Sequence, residues 1–145
     1  MLKTQLLHPE ILAALGSAGH GSKVLIADGN FPFVTGANPA AKRVYLNLAP
    51  GLLTVTDVLR VLIEAMPVET AEVMQPASGD EPSIFADFRS ILPHGVDLKR
   101  LGRFEFYDVA RERDTTLVIA TGEQRIYANI LLTIGVVMPS ISKSS

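Results

Sequence analysis

The sequence predicts an α/β fold in which helices cover both faces of a mainly parallel β-sheet. Two observations support this prediction. Several short, continuous apolar runs are rich in branched residues, which is typical of strands buried on both faces. These runs alternate along the chain with segments of helical period, and strands that alternate with helices pair mainly in parallel. A chain of 145 residues suffices for one domain, predicted over 1–145, and is short for two.

The four predicted helices have apolar residues on one face and recognisable start or stop signals. Pro9 suits the first position of a helix, and Gly16 and Gly19 mark where that helix ends. Thr54 or Thr56 can cap a second helix that runs to residue 65, before the break at Pro67. The last two helices are predicted over 82–92 and 103–111.

The predicted strands are apolar and rich in residues branched at Cβ, which favours extended backbone. They are expected over 24–27, 43–48, 71–74, 116–120 and 128–137. A loop rich in Pro, Gly and Asn separates the first two strands, from residue 29 to about 41. The last five residues, 141–145, are expected to be frayed.

Composition excludes several classes of protein. The chain has no cysteine, which rules out disulfides, thiolate zinc sites and cysteine nucleophiles. Its three histidines are too scattered to predict a metal site by spacing. With 13 basic and 15 acidic residues, the one basic cluster, Lys99, Arg100 and Arg103, is too thin for a nucleic-acid interface. No apolar run approaches a membrane span and no signal peptide is evident, so we expect a cytoplasmic protein.

The charged fraction is low. Only 19% of residues are charged and 48% are hydrophobic, whereas an ordinary monomer surface carries more charge. This shortfall predicts that other subunits cover part of the surface.

The stretch GHGSKVLIADGNFP, residues 19–32, places a histidine and an aspartate at the two ends of one predicted strand. Asp28 follows the strand directly, and open α/β sheets bind ligands at the carboxyl ends of their strands. His20 and Asp28 are therefore candidates for one site. The alternative is a helix end, a buried strand and an Asp-Gly turn, with an incidental histidine. His8 and His94 lie beside prolines and are interpreted as incidental.

Two further stretches carry polar candidates. In TGEQRIYANILL, residues 121–132, Tyr127 and Asn129 are two residues apart and would share one face of an extended chain. A phenol and an amide on one face can hold sugar hydroxyls, or they can simply cap a strand. In RFEFYDVARER, residues 103–113, Arg103 is a candidate donor, whereas Phe104 and Tyr107 are expected to be core residues.

These three stretches, in this order and spacing, resemble the ribose pyranase and fucose mutarotase family, RbsD/FucU. The resemblance is closer to the fucose branch. It rests on Gly-His-Gly before the first strand, Asp-x-Asn-Phe-Pro after it, Arg-Phe-x-Phe-Tyr, and Thr-Gly-Glu followed by Tyr-x-Asn. Two features depart from that branch: 48–51 reads Leu-Ala-Pro-Gly, and Tyr-Ala-Asn is similar to the ribose branch.

The resemblance implies a three-layer α/β/α domain that interconverts anomers or ring forms of a free monosaccharide without a cofactor. It implies a ring-shaped, decameric homo-oligomer with the sugar site at subunit boundaries. His20 corresponds to the family's proton donor. Its sugar-binding positions correspond to Asp28, Arg103, Tyr127, Ala128 and Asn129. D-ribose pyranase-type exchange and a sugar-binding accessory to transport remain alternatives to an L-fucose mutarotase.

The spacing of His20 and Asp28 raises a question of geometry. Eight residues of straight strand span about 26 Å, at ~3.3 Å per residue, which is too far for one sugar. Either Gly19 and Gly21 fold the chain back beside a short strand, or the two residues serve sites in different subunits.

Overall fold

The computed structural model describes residues 1–140, which form four helices and one six-stranded sheet. The helices are α1 Pro9–Ser17, α2 Val55–Ala65, α3 Ile84–Ile91 and α4 Arg103–Ala110. The strands are β1 Lys23–Ala27, β2 Lys42–Tyr45, β3 Val68–Met74, β4 Leu98–Leu101, β5 Thr115–Ala120 and β6 Ile130–Ile134. Across the sheet their order is β2-β5-β1-β6-β3-β4.

Five of the six strands run in the same direction. Strand β6 pairs antiparallel with both of its neighbours, β1 and β3, and every other pairing is parallel. The prediction of a mainly parallel sheet is therefore confirmed. One edge of the sheet, here called the carboxyl edge, holds the ends of the five parallel strands and the start of β6. The opposite edge is called the amino edge.

Helices cover both faces of the sheet, as predicted. In β1, Val24 and Ile26 pack in a core with α1, α2 and α3, whereas Leu25 and Ala27 pack on the other face with α4 and the loop after β1. All four side chains are fully buried. Because successive strand residues point to opposite faces, a continuous apolar run is what a strand between two helical layers requires.

Local capping signals determine where two helices begin. Thr54 is the N-cap of α2, and its hydroxyl accepts from the Asp57 amide while the Asp57 carboxylate accepts from the Thr54 amide. This reciprocal capping box satisfies two donors that the helix leaves free. His8, interpreted from sequence as incidental, caps α1 by accepting from the Ile11 amide at Nδ1.

The structure corrects several boundaries and one core assignment. Strand β4 was not predicted, because its exposed Lys99 and Arg100 give it no apolar run; such charges protect an edge strand. Strands β2 and β6 are shorter than predicted. The prediction of Phe104 as a core residue is wrong, since Phe104 is 77% exposed and Phe106 occupies the core instead. Residues 141–145, predicted to be frayed, lie outside the described residues.

None of the helices within residues 1–140 combines the length and the apolar character that a membrane crossing requires.

Candidate active site

A small pocket of about 190 Å³ opens at the carboxyl edge of the sheet, and we call it the Asp28 pocket. Four residues predicted from the sequence line it: Asp28, Arg103, Tyr127 and Asn129. The remaining lining residues are Asn30, Phe31, Met74, Tyr107 and Ile126. The pocket thus combines one carboxylate, one guanidinium, two amides and two phenols with an apolar wall.

Asp28 is held at the centre of a hydrogen-bond network. It directly follows β1 and is 3% exposed. Its carboxylate accepts from the amide of Asn30 at 3.0 Å, and from the amide of Ala128 and the Asn129 side chain at 3.2 Å each. In return, the Asp28 amide donates to Asn129 Oδ1 at 2.7 Å. Ala128, predicted as a sugar-binding position, therefore meets Asp28 through its backbone.

Burial raises the pKa of Asp28, and the hydrogen bonds from Asn30, Ala128 and Asn129 only partly oppose this rise. A raised pKa means that the folded state favours the neutral acid more than the unfolded chain does. The contribution of Asp28 to stability is therefore fully present below its unfolded pKa. It is lost as the pH rises through the folded pKa.

We expect this linkage to be visible when the wild type is compared with Asp28→Asn. The free energy of unfolding of the wild type, relative to the variant, should fall as the pH rises through the raised pKa of Asp28. Urea titrations across the acidic range measure it. Asp108→Asn, an exposed aspartate on α4, is the matched control. A stability difference that instead grows with pH would contradict the raised pKa.

Tyr127 reaches the pocket through a turn. Its φ is 58°, and among the described residues it is the one non-glycine residue with positive φ. The extended backbone predicted for Tyr127 and Asn129 is therefore wrong, because β6 begins only at Ile130. Both side chains still line the pocket.

Arg103 is the first residue of α4, which begins where β4 ends. It is exposed, and it is the one cation among the residues that line the Asp28 pocket. One turn further along α4, Tyr107 packs its ring 5.6 Å from that of Phe31. This aromatic pair forms part of the pocket wall, while the Arg103 guanidinium lies 6.0 Å from the ring of Phe104.

His20 lies away from this pocket, at the amino edge. Strand β1 separates the two positions, and its ends alone are about 13 Å apart at ~3.3 Å per residue. The alternative in which the glycines fold His20 back toward Asp28 is therefore wrong. The His20 side chain is 57% exposed, and its Nε2 lies 3.0 Å from Glu69 Oε1. Within one chain, His20 and Asp28 do not share a pocket.

Sequence reasoning missed Glu69, which is 49 positions from His20. The two meet because β1 and β3 both flank β6 and both begin at the amino edge. No local pattern signals such a pairing. Because a carboxylate only accepts, His20 Nε2 carries the proton in this contact, which leaves Nδ1 available to a ligand.

Potential metal ligands do not converge in the described part of the chain. Across residues 1–140, no group of three or more His, Cys, Asp or Glu side chains is placed to hold a metal ion.

Comparisons with known proteins agree with this architecture. Residues 1–137 match the model of the RbsD / FucU transport protein family. The chain is 34% identical over 136 residues to the D-ribose pyranase of Paracidovorax citrulli (strain AAC00-1), covering 94% of this chain and 98% of that protein. It is 32% identical over 146 residues to the fucose mutarotase of Bos taurus, covering 92% of each.

A solved structure gives the same result. The fucose mutarotase from Streptococcus pneumoniae, in complex with L-fucose, superposes with a TM-score of 0.81 at 28% identity. The match covers 95% of this chain and 100% of that one. A three-layer α/β/α fold with a polar pocket at its strand ends thus defines the class, and this chain belongs to the RbsD/FucU family. Ribose pyranases and fucose mutarotases are similar to it at nearly equal identity.

Proposed function

We propose that this protein is an isomerase, a cofactor-independent mutarotase that interconverts the anomers of a free, L-fucose-like monosaccharide. The observation that carries the proposal is the Asp28 pocket, in which a buried carboxylate, an amide and a phenol converge in about 190 Å³. This volume suits a single sugar ring. We further propose that residues 1–145 form one mutarotase domain that acts in the cytoplasm.

The chemistry requires one group that moves protons and several that hold the sugar. Opening a cyclic hemiacetal removes a proton from the anomeric hydroxyl and delivers one to the ring oxygen. Rotation about the C1–C2 bond and reclosure then give the other anomer. We assign the proton transfers to His20, since imidazole gives and takes protons near neutral pH. Its hydrogen bond to Glu69 engages Nε2 and leaves Nδ1 for the sugar.

The sugar-holding roles fall to the pocket. Asp28 and Asn129 accept hydrogen bonds from the sugar hydroxyls and donate hydrogen bonds to them. Tyr127 lines one side of the pocket, and Arg103 donates hydrogen bonds from its rim. Met74 and Ile126 supply apolar surface. The Ala128 amide holds the Asp28 carboxylate in place by donating a hydrogen bond to it.

Because His20 is too far from Asp28 in one chain, we propose that the site is completed by a second copy of the protein. His20 of one copy would face the Asp28 pocket of its neighbour. A ring-shaped homo-oligomer, which family resemblance predicts to be a decamer, would place neighbouring copies side by side in this way. Large exposed apolar side chains, including Leu48 at 85% and Val34 at 68%, support burial of this surface between copies.

The second candidate is D-ribose pyranase-type exchange between pyran and furan forms. Ala128 within Tyr-Ala-Asn favours it, as does the similarity to the P. citrulli ribose pyranase. A sugar-binding accessory to transport is a third possibility that differs in having no turnover. The ribose pyranase and the transport accessory would use the same Asp28 pocket as the mutarotase.

The test is anomer exchange, followed by NMR of the anomeric protons, for fucose, ribose and their phosphates at equal concentration. We expect fucose to be exchanged fastest and the phosphates slowest. One rim cation is a weak anchor for a dianion, which usually gains several charged donors. Faster exchange of ribose would favour the second candidate, and preferred turnover of a phosphate would contradict the site. Saturable binding without exchange would favour the transport accessory.

A further inference from the structure

The segment 121–129 carries Tyr127, Ala128 and Asn129 from the end of β5 to the start of β6 without belonging to either strand. Its first residues are tied to the sheet, where the Thr121 hydroxyl donates to the Ala27 carbonyl at 2.7 Å. Its end is tied by the Ala128 amide, which donates to Asp28. Between these anchors the backbone passes through the left-handed conformation of Tyr127.

A positive φ is an unfavourable conformation for a tyrosine and persists only where the surroundings enforce it. Tyr127 is only half-buried, and Ile126 before it is 67% exposed. Packing of these two side chains is therefore a weak restraint. A stronger restraint lies two residues before Tyr127.

Arg125 ties the segment to two helices at once. Its guanidinium donates from Nε to Glu123 Oε2 at 3.2 Å, from one terminal nitrogen to Glu123 Oε1 at 2.8 Å, and from the other to Asp87 Oδ2 at 2.6 Å. Asp87 belongs to α3. The same guanidinium also reaches the hydroxyl of Thr56 in α2, at 3.3 Å.

Glu123 connects Arg125 to the start of α2. The carboxylate is 4% exposed and also accepts from the amides of Val55, at the start of α2, and of Arg125 itself. Burial raises the pKa of Glu123, but the hydrogen bonds and charge of Arg125 outweigh it and leave that pKa below its ordinary value. The Glu123 charge is thus maintained inside the protein by Arg125. Removing Arg125 would leave the buried Glu123 carboxylate without its counter-charge, which is costly.

We propose that Arg125 is a positioning residue for the sugar site, clamping segment 121–129 onto α2 and α3 so that Tyr127 and the Ala128 amide stay in their places. This inference rests on the proposed function for its kinetic consequence, but not for its structural one. Arg125 does not line the Asp28 pocket; it lines a neighbouring cavity that shares Ile126 and Tyr127 with it, so the role proposed for Arg125 is exerted through the segment.

The test compares Arg125→Ala, Arg125→Lys and a control, Arg89→Ala, in the full chain. The control removes an arginine of α3 whose side-chain hydrogen bonds go to Glu81 and not to segment 121–129. We expect KM for the exchanged sugar to rise between about tenfold and a hundredfold in Arg125→Ala, with a smaller change in kcat. In Arg125→Lys the KM should return only part of the way to the wild-type value, because an ammonium cannot reproduce the forked contacts of a guanidinium. A merely structural role would lower the active fraction, and thus the apparent kcat, at unchanged KM.

A second readout needs no activity. Amide hydrogen–deuterium exchange, measured by mass spectrometry without sugar, should accelerate in 121–129 in Arg125→Ala and stay at the wild-type level in Arg89→Ala. Where Arg125→Ala does not fold, Asp87→Ala removes only one half-exposed partner and should give a smaller effect of the same sign. The proposal would be overturned if hydrogen–deuterium exchange in 121–129 of Arg125→Ala were unchanged from the wild type. Faster hydrogen–deuterium exchange with an unchanged KM would overturn it as well. If the wild type turns over none of the sugars, the proposed function fails. The hydrogen–deuterium exchange data alone then decide the role of Arg125.

Discussion

His20→Ala should lower the rate of anomer exchange by about 10²–10⁴-fold, the contribution that a positioned acid–base group makes. The fold should survive, because the imidazole is 57% exposed and its hydrogen-bond partner is the half-exposed Glu69. NMR exchange of the anomeric protons measures the rate. A thermal melt of the same sample reports the fold.

His94→Ala is the matched control for this variant, since it removes an exposed imidazole that does not line the Asp28 pocket and is not the hydrogen-bond partner of Glu69. The control should keep the wild-type rate and the wild-type melting temperature. Wild-type exchange in His20→Ala would show that His20 is not the proton-transfer group. An unfolded His20→Ala would instead contradict the weak packing of this side chain.

Mixing two inactive variants should restore activity, if His20 and Asp28 meet only between copies. In an assembly of His20→Ala and Asp28→Asn chains at equal amounts, random pairing leaves about a quarter of the boundaries with both native residues. Activity should therefore return to about a quarter of the wild-type value. The physical reason is the length of β1, which keeps the two residues of one chain apart.

The experiment requires the two variants to be co-expressed, with exchange measured on the mixed assembly. Each variant alone, assembled in the same way, is the control and should remain inactive. Light scattering at micromolar concentration should report a multimer. A monomer, or a mixed assembly without restored exchange, would contradict the shared site.

Local sequence patterns predicted most of the fold. The continuous apolar run of β1 and the capping box that begins at Thr54 depend on neighbours within a few residues, so they can be read along the chain. Asp28 was also predictable as a site residue, because a strand's carboxyl end is a general place for ligands in such sheets. Arg103 was a candidate donor from the sequence, family resemblance added it to the sugar-binding positions, and the structure places it at the same pocket.

Other features depended on the order of strands, which no local period encodes. The pairing of His20 with Glu69 requires β1 and β3 to flank β6. Strand β4 was missed because an edge strand with exposed cations lacks the apolar pattern of a buried one.

The sequence by itself determined which side chains are available for the proposed chemistry and that helices and strands alternate. Only the tertiary structure decided that Asp28, Arg103, Tyr127 and Asn129 converge while His20 stays at the opposite edge. It also decided that Tyr127 lies in a turn with a positive φ and not in a strand. The physical reason is that these placements arise from hydrogen bonds between residues as many as 101 positions apart, and such contacts form only once the sheet is assembled.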